Sequence, residues 1–222
     1  MLQNNFGLGA DAGLGSDSGF SDTGAFGTSG TTMEVRANDT ATSRNRLGIL
    51  RFDLTDITGD VSGASVTLYE TGNNSRTVSV YGLVDGDAGE SWDEATISYS
   101  TAPAISAITG TSGAPATAFD AARTVLLGTF NTTASTTENL TFSGAALDAF
   151  LAADTNDLVT LYFYRDGGGA VTLRTKEFNY TGTIGAPPTL TLPNAEVPEP
   201  AALSLLGMGA LALSARRRRS RA

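Results

Sequence analysis

Short runs that alternate apolar with polar residues, punctuated by Gly, Asn and Asp, dominate this chain. A period of two belongs to β-strands half buried against a core. Many such strands with turn signals between them build a sandwich or a barrel. In residues 47–54 the alternation places Leu50, Phe52 and Leu54 on one face. Residues 64–69 and 77–81 alternate likewise. Further strands are expected at 95–99, 124–130, 139–142, 158–164, 171–178 and 189–192. Turn signals separate them at Gly72-Asn-Asn74, Asp85-Gly-Asp87 and Asp166-Gly-Gly-Gly169. Residues 145–152 depart from this period. Leu147, Phe150 and Leu151 share a helical face there, which predicts a short crossover helix capping the sandwich. The first 30 residues are rich in Gly, Ser and Asp, and read either as disordered or as an irregular edge segment lying on the sheet. The expected class is all-β, with one antiparallel β-sandwich over residues 1–192.

Composition removes several chemistries. The chain has no Cys and no His, which excludes disulfides, thiolate nucleophiles, Cys/His zinc sites and His-based acid–base catalysis. Charged residues are 17% of the chain, with 23 acids against 14 bases and a net charge of −9. Five of the bases, Arg216, Arg217, Arg218, Arg219 and Arg221, crowd the C-terminus. With the tail from Pro198 onward set aside, together with its Glu199, nine bases face 22 acids and the body carries −13. So acidic a body is repelled by nucleic acid and by anionic lipid, and no nucleic-acid partner is expected.

The tail is a module of its own. Residues 193–200 carry Pro193, Pro198 and Pro200 and read as a semi-rigid linker. Residues 201–215 are uncharged and apolar, and as a helix would span about 22 Å, a short transmembrane segment whose flanking Arg side chains can snorkel. The basic residues 216–222 keep that end cytoplasmic and put the body across the membrane. The order Val197, Pro198, Glu199, Pro200, then apolar segment, then Arg cluster resembles the PEP-CTERM sorting signal. The resemblance implies export in a Gram-negative bacterium that makes exopolysaccharide, an inner-membrane intermediate held by the tail, and cleavage near Pro198-Glu199-Pro200 by an exosortase-type membrane protease. The cell surface or extracellular matrix follows as the destination. An uncleaved tail anchor is the alternative. Residues 1–6 have neither a basic n-region nor an apolar h-region, so either the true start lies upstream, the favoured reading, or export takes an unusual route.

Blocks along the body carry a second resemblance. They are Ala10-Asp11-Ala12, residues 26–29 and 33–36, Arg44-Asn-Arg-Leu47, Leu50-Arg-Phe-Asp-Leu54, residues 64–69 and 78–81, Ser91-Trp-Asp-Glu-Ala-Thr-Ile-Ser-Tyr-Ser-Thr-Ala-Pro103, Arg174-Thr-Lys-Glu177 and residues 188–192. Over residues 9–192 the chain resembles the DNRLRE-domain proteins and the related family-96 carbohydrate-binding modules. It departs at Gly13, where an aromatic is usual, and at Thr175-Lys-Glu177, where Ser-Arg-Glu is commoner. The resemblance implies a jelly-roll-like sandwich and polysaccharide binding.

Within that frame, Tyr162 and Tyr164 are the glycan-binding candidates. They alternate with Val159, Leu161 and Phe163 and so point away from that apolar row. Burial of both faces is the alternative. Trp92, with Glu94, reads as a structural corner. Asp11 and Glu177 are the calcium candidates, placed to meet if both termini close one sheet; Asp85-Gly-Asp87-Ala-Gly-Glu90 offers weaker spacing. Arg51 is a structural residue, with an ion pair to Glu177 expected if both are buried. No motif supplies a catalytic pair. The reading is therefore a non-catalytic surface or matrix protein that binds exopolysaccharide. The alternatives are a purely structural matrix protein and, less favoured, a polysaccharide-degrading enzyme.

Overall fold

The computed structural model describes residues 1–4, 6–15, 31–36, 46–72, 74–105, 119–133, 137–165, 169–178 and 186–196. Along them run β1 (Leu2–Gln3), β2 (Ala10–Gly15), β3 (Thr32–Val35), β4 (Arg46–Asp53), β5 (Thr58–Gly59), β6 (Ser65–Glu70) and β7 (Thr77–Leu83). Then come β8 (Thr124–Asn131), β9 (Glu138–Ser143), α1 (Ala145–Ala152), β10 (Leu158–Tyr164), β11 (Val171–Arg174), β12 (Thr189–Thr191) and β13 (Ala195–Glu196). All strand pairs are antiparallel.

Two sheets face each other. In the first, β6 is central, with β9 along one side and β12 and β11 end to end along the other. β1 extends β12, and β3 extends β11. The second runs β2-β4-β10-β7-β8. Alternation decides what lies between them. Val66, Leu68, Leu140, Phe142, Val171, Leu173 and Leu190 from the first sheet meet Leu50, Phe52, Val78, Val80, Val159, Leu161 and Phe163 from the second, in one buried core. At about 25 cal/mol per Å² of apolar surface removed from water, this layer is the main favourable term in folding.

Helix α1 crosses from β9 in the first sheet to β10 in the second, as its apolar stripe requires, and buries Leu147 and Leu151. Its Asp148 accepts from the backbone amides of Gly63 and Ala64 at 3.1 and 2.9 Å, which ties the β5–β6 turn to the helix. Phe150 packs its ring against Gly82, where a Cβ would come within 2.5 Å of the ring, so that contact exists only because position 82 lacks a side chain.

Several expectations change. Residues 95–99 are not a strand but turns. Asp93 accepts through its side chain from the Ala95 amide at 2.7 Å and through its carbonyl from the Ile97 amide at 2.8 Å, and this local bonding outcompetes the β-propensity of Thr96, Ile97 and Tyr99. The strand expected at 171–178 stops at Arg174, and the chain turns through Thr175–Phe178. Part of the Gly-rich N-terminus is regular, since β2 pairs with β4 over its whole length. Ala195 and Glu196, assigned to the Pro-rich linker, pair with Gly59 and Thr58, helped by Asn194 donating to the Ser62 carbonyl at 3.1 Å. Among the described residues no helix is long and apolar enough to cross a membrane. The expected transmembrane segment 201–215, Val197 to Pro200 and the Arg cluster lie outside the described residues.

Candidate functional site

The outer face of the second sheet is where the tyrosines were expected to meet a glycan. Tyr162 and Tyr164 do point away from the Val159, Leu161, Phe163 row, but that face is covered. Trp92, Ile97, Tyr99, Ala102, Ala104 and Phe119 lie over it in a second buried cluster with Ala10, Ala12, Leu14, Leu47, Ile49 and Tyr81. Tyr162 is 0% exposed and donates its hydroxyl to the Pro103 carbonyl at 2.6 Å; Tyr164 is 1% exposed. The Phe119 ring centroid sits 5.2 Å from Tyr162 and 5.7 Å from Tyr164. Burial raises the Tyr162 hydroxyl pKa far above its ordinary value. Neither ring presents a face to a sugar. The irregular 84–105 segment acts as a third layer.

Arg51 holds that layer down. Its Nε donates to the Leu8 carbonyl at 2.7 Å and its Nη1 to the Glu90 and Trp92 carbonyls, and its guanidinium stacks 4.8 Å from the Trp92 ring centroid. The expected ion pair with Glu177 is replaced by these carbonyls, because Arg51 shares the outward face of β4 with Leu47 and Ile49. Trp92 is 7% exposed and donates its indole N–H to Thr160 Oγ1 at 3.2 Å.

Asp11 and Glu177 meet, by a route other than the one expected. Asp11 is on β2 of the second sheet, while Glu177 follows β11 of the first, so they close the edge between sheets rather than one sheet. Glu94, from the turn after Trp92, joins them. The three carboxylates offer oxygens that all lie within 4.8 Å of one another. Asp11 is 3% exposed, Glu94 is half-buried and Glu177 is exposed. Asp11 accepts from Asn4 Nδ2 at 2.6 Å and from the Lys176 amide at 2.8 Å. The Asp11 amide donates to Glu94 at 3.3 Å. Lys176 Nζ pairs with Glu94, donates to the Gly9 carbonyl at 3.3 Å and lies 3.8 Å from Glu177. All three carboxyls are pushed above the ordinary range, first by burial and then by one another. Sequence reasoning read Glu94 as structural and missed Asn4 and Lys176.

The acids of the other loop already have partners, most of them on neighbouring segments. Asp85 accepts from the Thr155 amide and hydroxyl at 3.2 and 2.7 Å, Asp87 pairs with Arg123 at 2.7 Å, and Glu90 accepts from the Gly86 amide at 3.0 Å. Beside it an open apolar groove of about 440 Å³ runs between Val84, Val125 and Leu127 on one wall and Ala146, Ala149 and Phe150 of α1, with Ala153 just after it, on the other.

Two family models match separate parts of the chain. Residues 16–125 match the model of carbohydrate-binding module family 96. Residues 196–219 match the PEP-CTERM protein-sorting motif, so the chain is similar to those modules over residues 16–125 and carries a sorting motif near its C-terminus. No curated protein matches the chain.

Proposed function

We propose that this chain is an exported, non-catalytic protein of the cell surface or extracellular matrix, sorted through its C-terminal signal by an exosortase-type membrane protease and carrying a jelly-roll-like β-sandwich that binds polysaccharide. The observation that carries this reading is the presence of both matches in one chain. In it the body spans residues 1–192, the linker 193–200 carries the cleavage motif Val197-Pro-Glu-Pro200, and segment 201–215 holds the protein in the inner membrane of a Gram-negative cell. Arg216 to Arg219 and Arg221 stay cytoplasmic until cleavage, after which the body passes to the exopolysaccharide layer.

The polysaccharide face moves from the tyrosines to the outer side of the first sheet. Ser65, Thr67, Asn139, Thr141, Thr172 and Thr191 alternate with its core residues, and register sets Thr67 opposite Thr141 and Ser65 opposite both Ser143 and Thr191. Rows of hydroxyls that both donate and accept suit the hydroxyls of a sugar chain. With the body at −13, a neutral polymer is the better ligand in the absence of a bridging cation.

A specific observation favours the structural-scaffold reading as the second choice. Among the described strand residues the aromatic on this face is Tyr69, which is 7% exposed and lies under the Arg174 guanidinium, 4.5 Å from its ring centroid, so it offers no stacking platform. Binding of the full chain to neutral and acidic exopolysaccharides separates the two. The expected result is retention on a neutral polymer, weakened about tenfold when Thr67 and Thr141 are both changed to Val, with an unchanged thermal midpoint. Absence of binding to every polymer leaves the scaffold reading in place.

A further inference from the structure

We propose that Asp11, Glu94 and Glu177, with Asn4, form a binding site for one divalent cation of calcium's size at the edge where the two sheets and the 84–105 segment meet. The three carboxylates come from distant parts of the chain yet their oxygens converge within 4.8 Å. The ligands on offer are all hard oxygens, with no nitrogen or sulfur donor, which suits calcium rather than a transition metal.

Asn4 is an independent sign of a missing positive partner. It is 0% exposed, and its amide touches the buried carboxylate of Asp11 through Nδ2 at 2.6 Å, while its Oδ1 has no hydrogen-bond partner. Leaving a buried acceptor unpaired is costly. Turning the amide over does not help, because Oδ1 would then oppose the Asp11 oxygen, acceptor against acceptor. In either orientation this corner has an oxygen too many, and a cation between the two groups satisfies both. The Gly9 carbonyl reaches the same place, as its 3.3 Å contact with Lys176 Nζ shows. Three carboxylates, an amide oxygen and a main-chain carbonyl can supply the six to eight oxygens that calcium takes.

Charge points the same way. Three acids converge on one ammonium, that of Lys176, with the Arg51 guanidinium acting on Glu94 from the Trp92 side, so the cluster keeps an excess of negative charge that a divalent ion would offset. Lys176 is the competitor, and its partly exposed side chain, 18% accessible, has room to withdraw. A bound ion would tie β2, the covering segment and the end of β11 together, stabilising the fold by mass action. Millimolar calcium outside the cell suffices if affinity falls in the range of extracellular modules, about 10⁻⁴ to 10⁻³ M.

The test is calcium titration of the full chain by calorimetry, beside thermal midpoints in about 1 mM calcium and in chelator. The expected result is saturable binding and a midpoint raised by several degrees. Glu177→Gln, at an exposed position that leaves the fold intact, and Asp11→Asn should each weaken binding about tenfold or more. Lys176→Met removes the competing ammonium and should bind calcium more tightly than the parent. Identical midpoints in calcium and chelator for both the parent and Lys176→Met would overturn the proposal. So would a Lys176→Met chain that is destabilised and not restored by calcium, since the ammonium would then be the cluster's own cation.

Discussion

Truncation of Tyr162 to alanine is expected to cost about 3–5 kcal/mol of stability, as for other large aromatics removed from a core. The ring is fully enclosed between β10 and the 84–105 segment, and its hydroxyl satisfies the Pro103 carbonyl. Truncation therefore leaves both a cavity and a buried carbonyl without a donor. The thermal midpoint should fall by about 10 °C in a domain of this size. Polysaccharide affinity, measured well below that midpoint, should be unchanged, because no sugar reaches the ring. Lost affinity with an unchanged midpoint would return the tyrosines to the ligand face.

The second large effect concerns pH. Glu70 ends β6 on the core-facing side, in step with Val66 and Leu68, and is 0% exposed, with the Glu138 carboxylate as its neighbour across the sheet. Burial, and then the Glu138 carboxylate opposite it, push its pKa up to about 8. Glu138 stays the ionised member of the pair. Its own burial is outweighed by hydrogen bonds from the Thr133 amide and hydroxyl, which hold it below the usual value. Between the unfolded carboxyl pKa, about 4.3, and the folded value, the folded state binds a proton that the unfolded state lacks. Stability must therefore fall as pH rises through this window, at up to about 1.4 kcal/mol per pH unit from Glu70, and level off above it. Asp11, Glu90, Glu94, Asp154 and Glu177 are shifted in the same direction and add to the slope. Glu70→Gln keeps the shape and removes the ionisation. Denaturant melts from pH 5 to 9 should show the variant gaining on the parent as pH rises, with the largest gap near pH 9. Parallel curves would mean that Glu70 is not the buried acid it appears from its place in the strand.

The strands that proved legible are those with a face to bury. Residues 47–54, 64–69, 77–81 and 158–164 alternate because one side meets the opposing sheet, and residues 145–152 carry a helical stripe because Leu147 and Leu151 cap that core. Alternation also told correctly that Tyr162 and Tyr164 leave the Val159 side. It could not tell what lies beyond them, since their cover is an irregular segment whose apolar residues, Trp92, Ile97, Tyr99 and Ala102, follow no period. The same segment defeated the strand expected at 95–99, where Asp93 turns the chain by local hydrogen bonds. Asp11 and Glu177 were recognisable as partners from their positions near the two ends of the body. Glu94 joins them across 83 residues of separation from Asp11, and no pattern along the chain announces a contact of that range.

If the C-terminal module is a sorting signal removed on the way to the surface, the C-terminus of the mature protein must record the cut. Mass spectrometry of surface or secreted material should find chains that end near Pro198-Glu199-Pro200, without peptides from Arg216 to Arg221. Replacing Pro198, Glu199 and Pro200 by alanine should leave the uncut chain in the inner-membrane fraction. Recovery of intact Arg-cluster peptides from mature surface protein would contradict it.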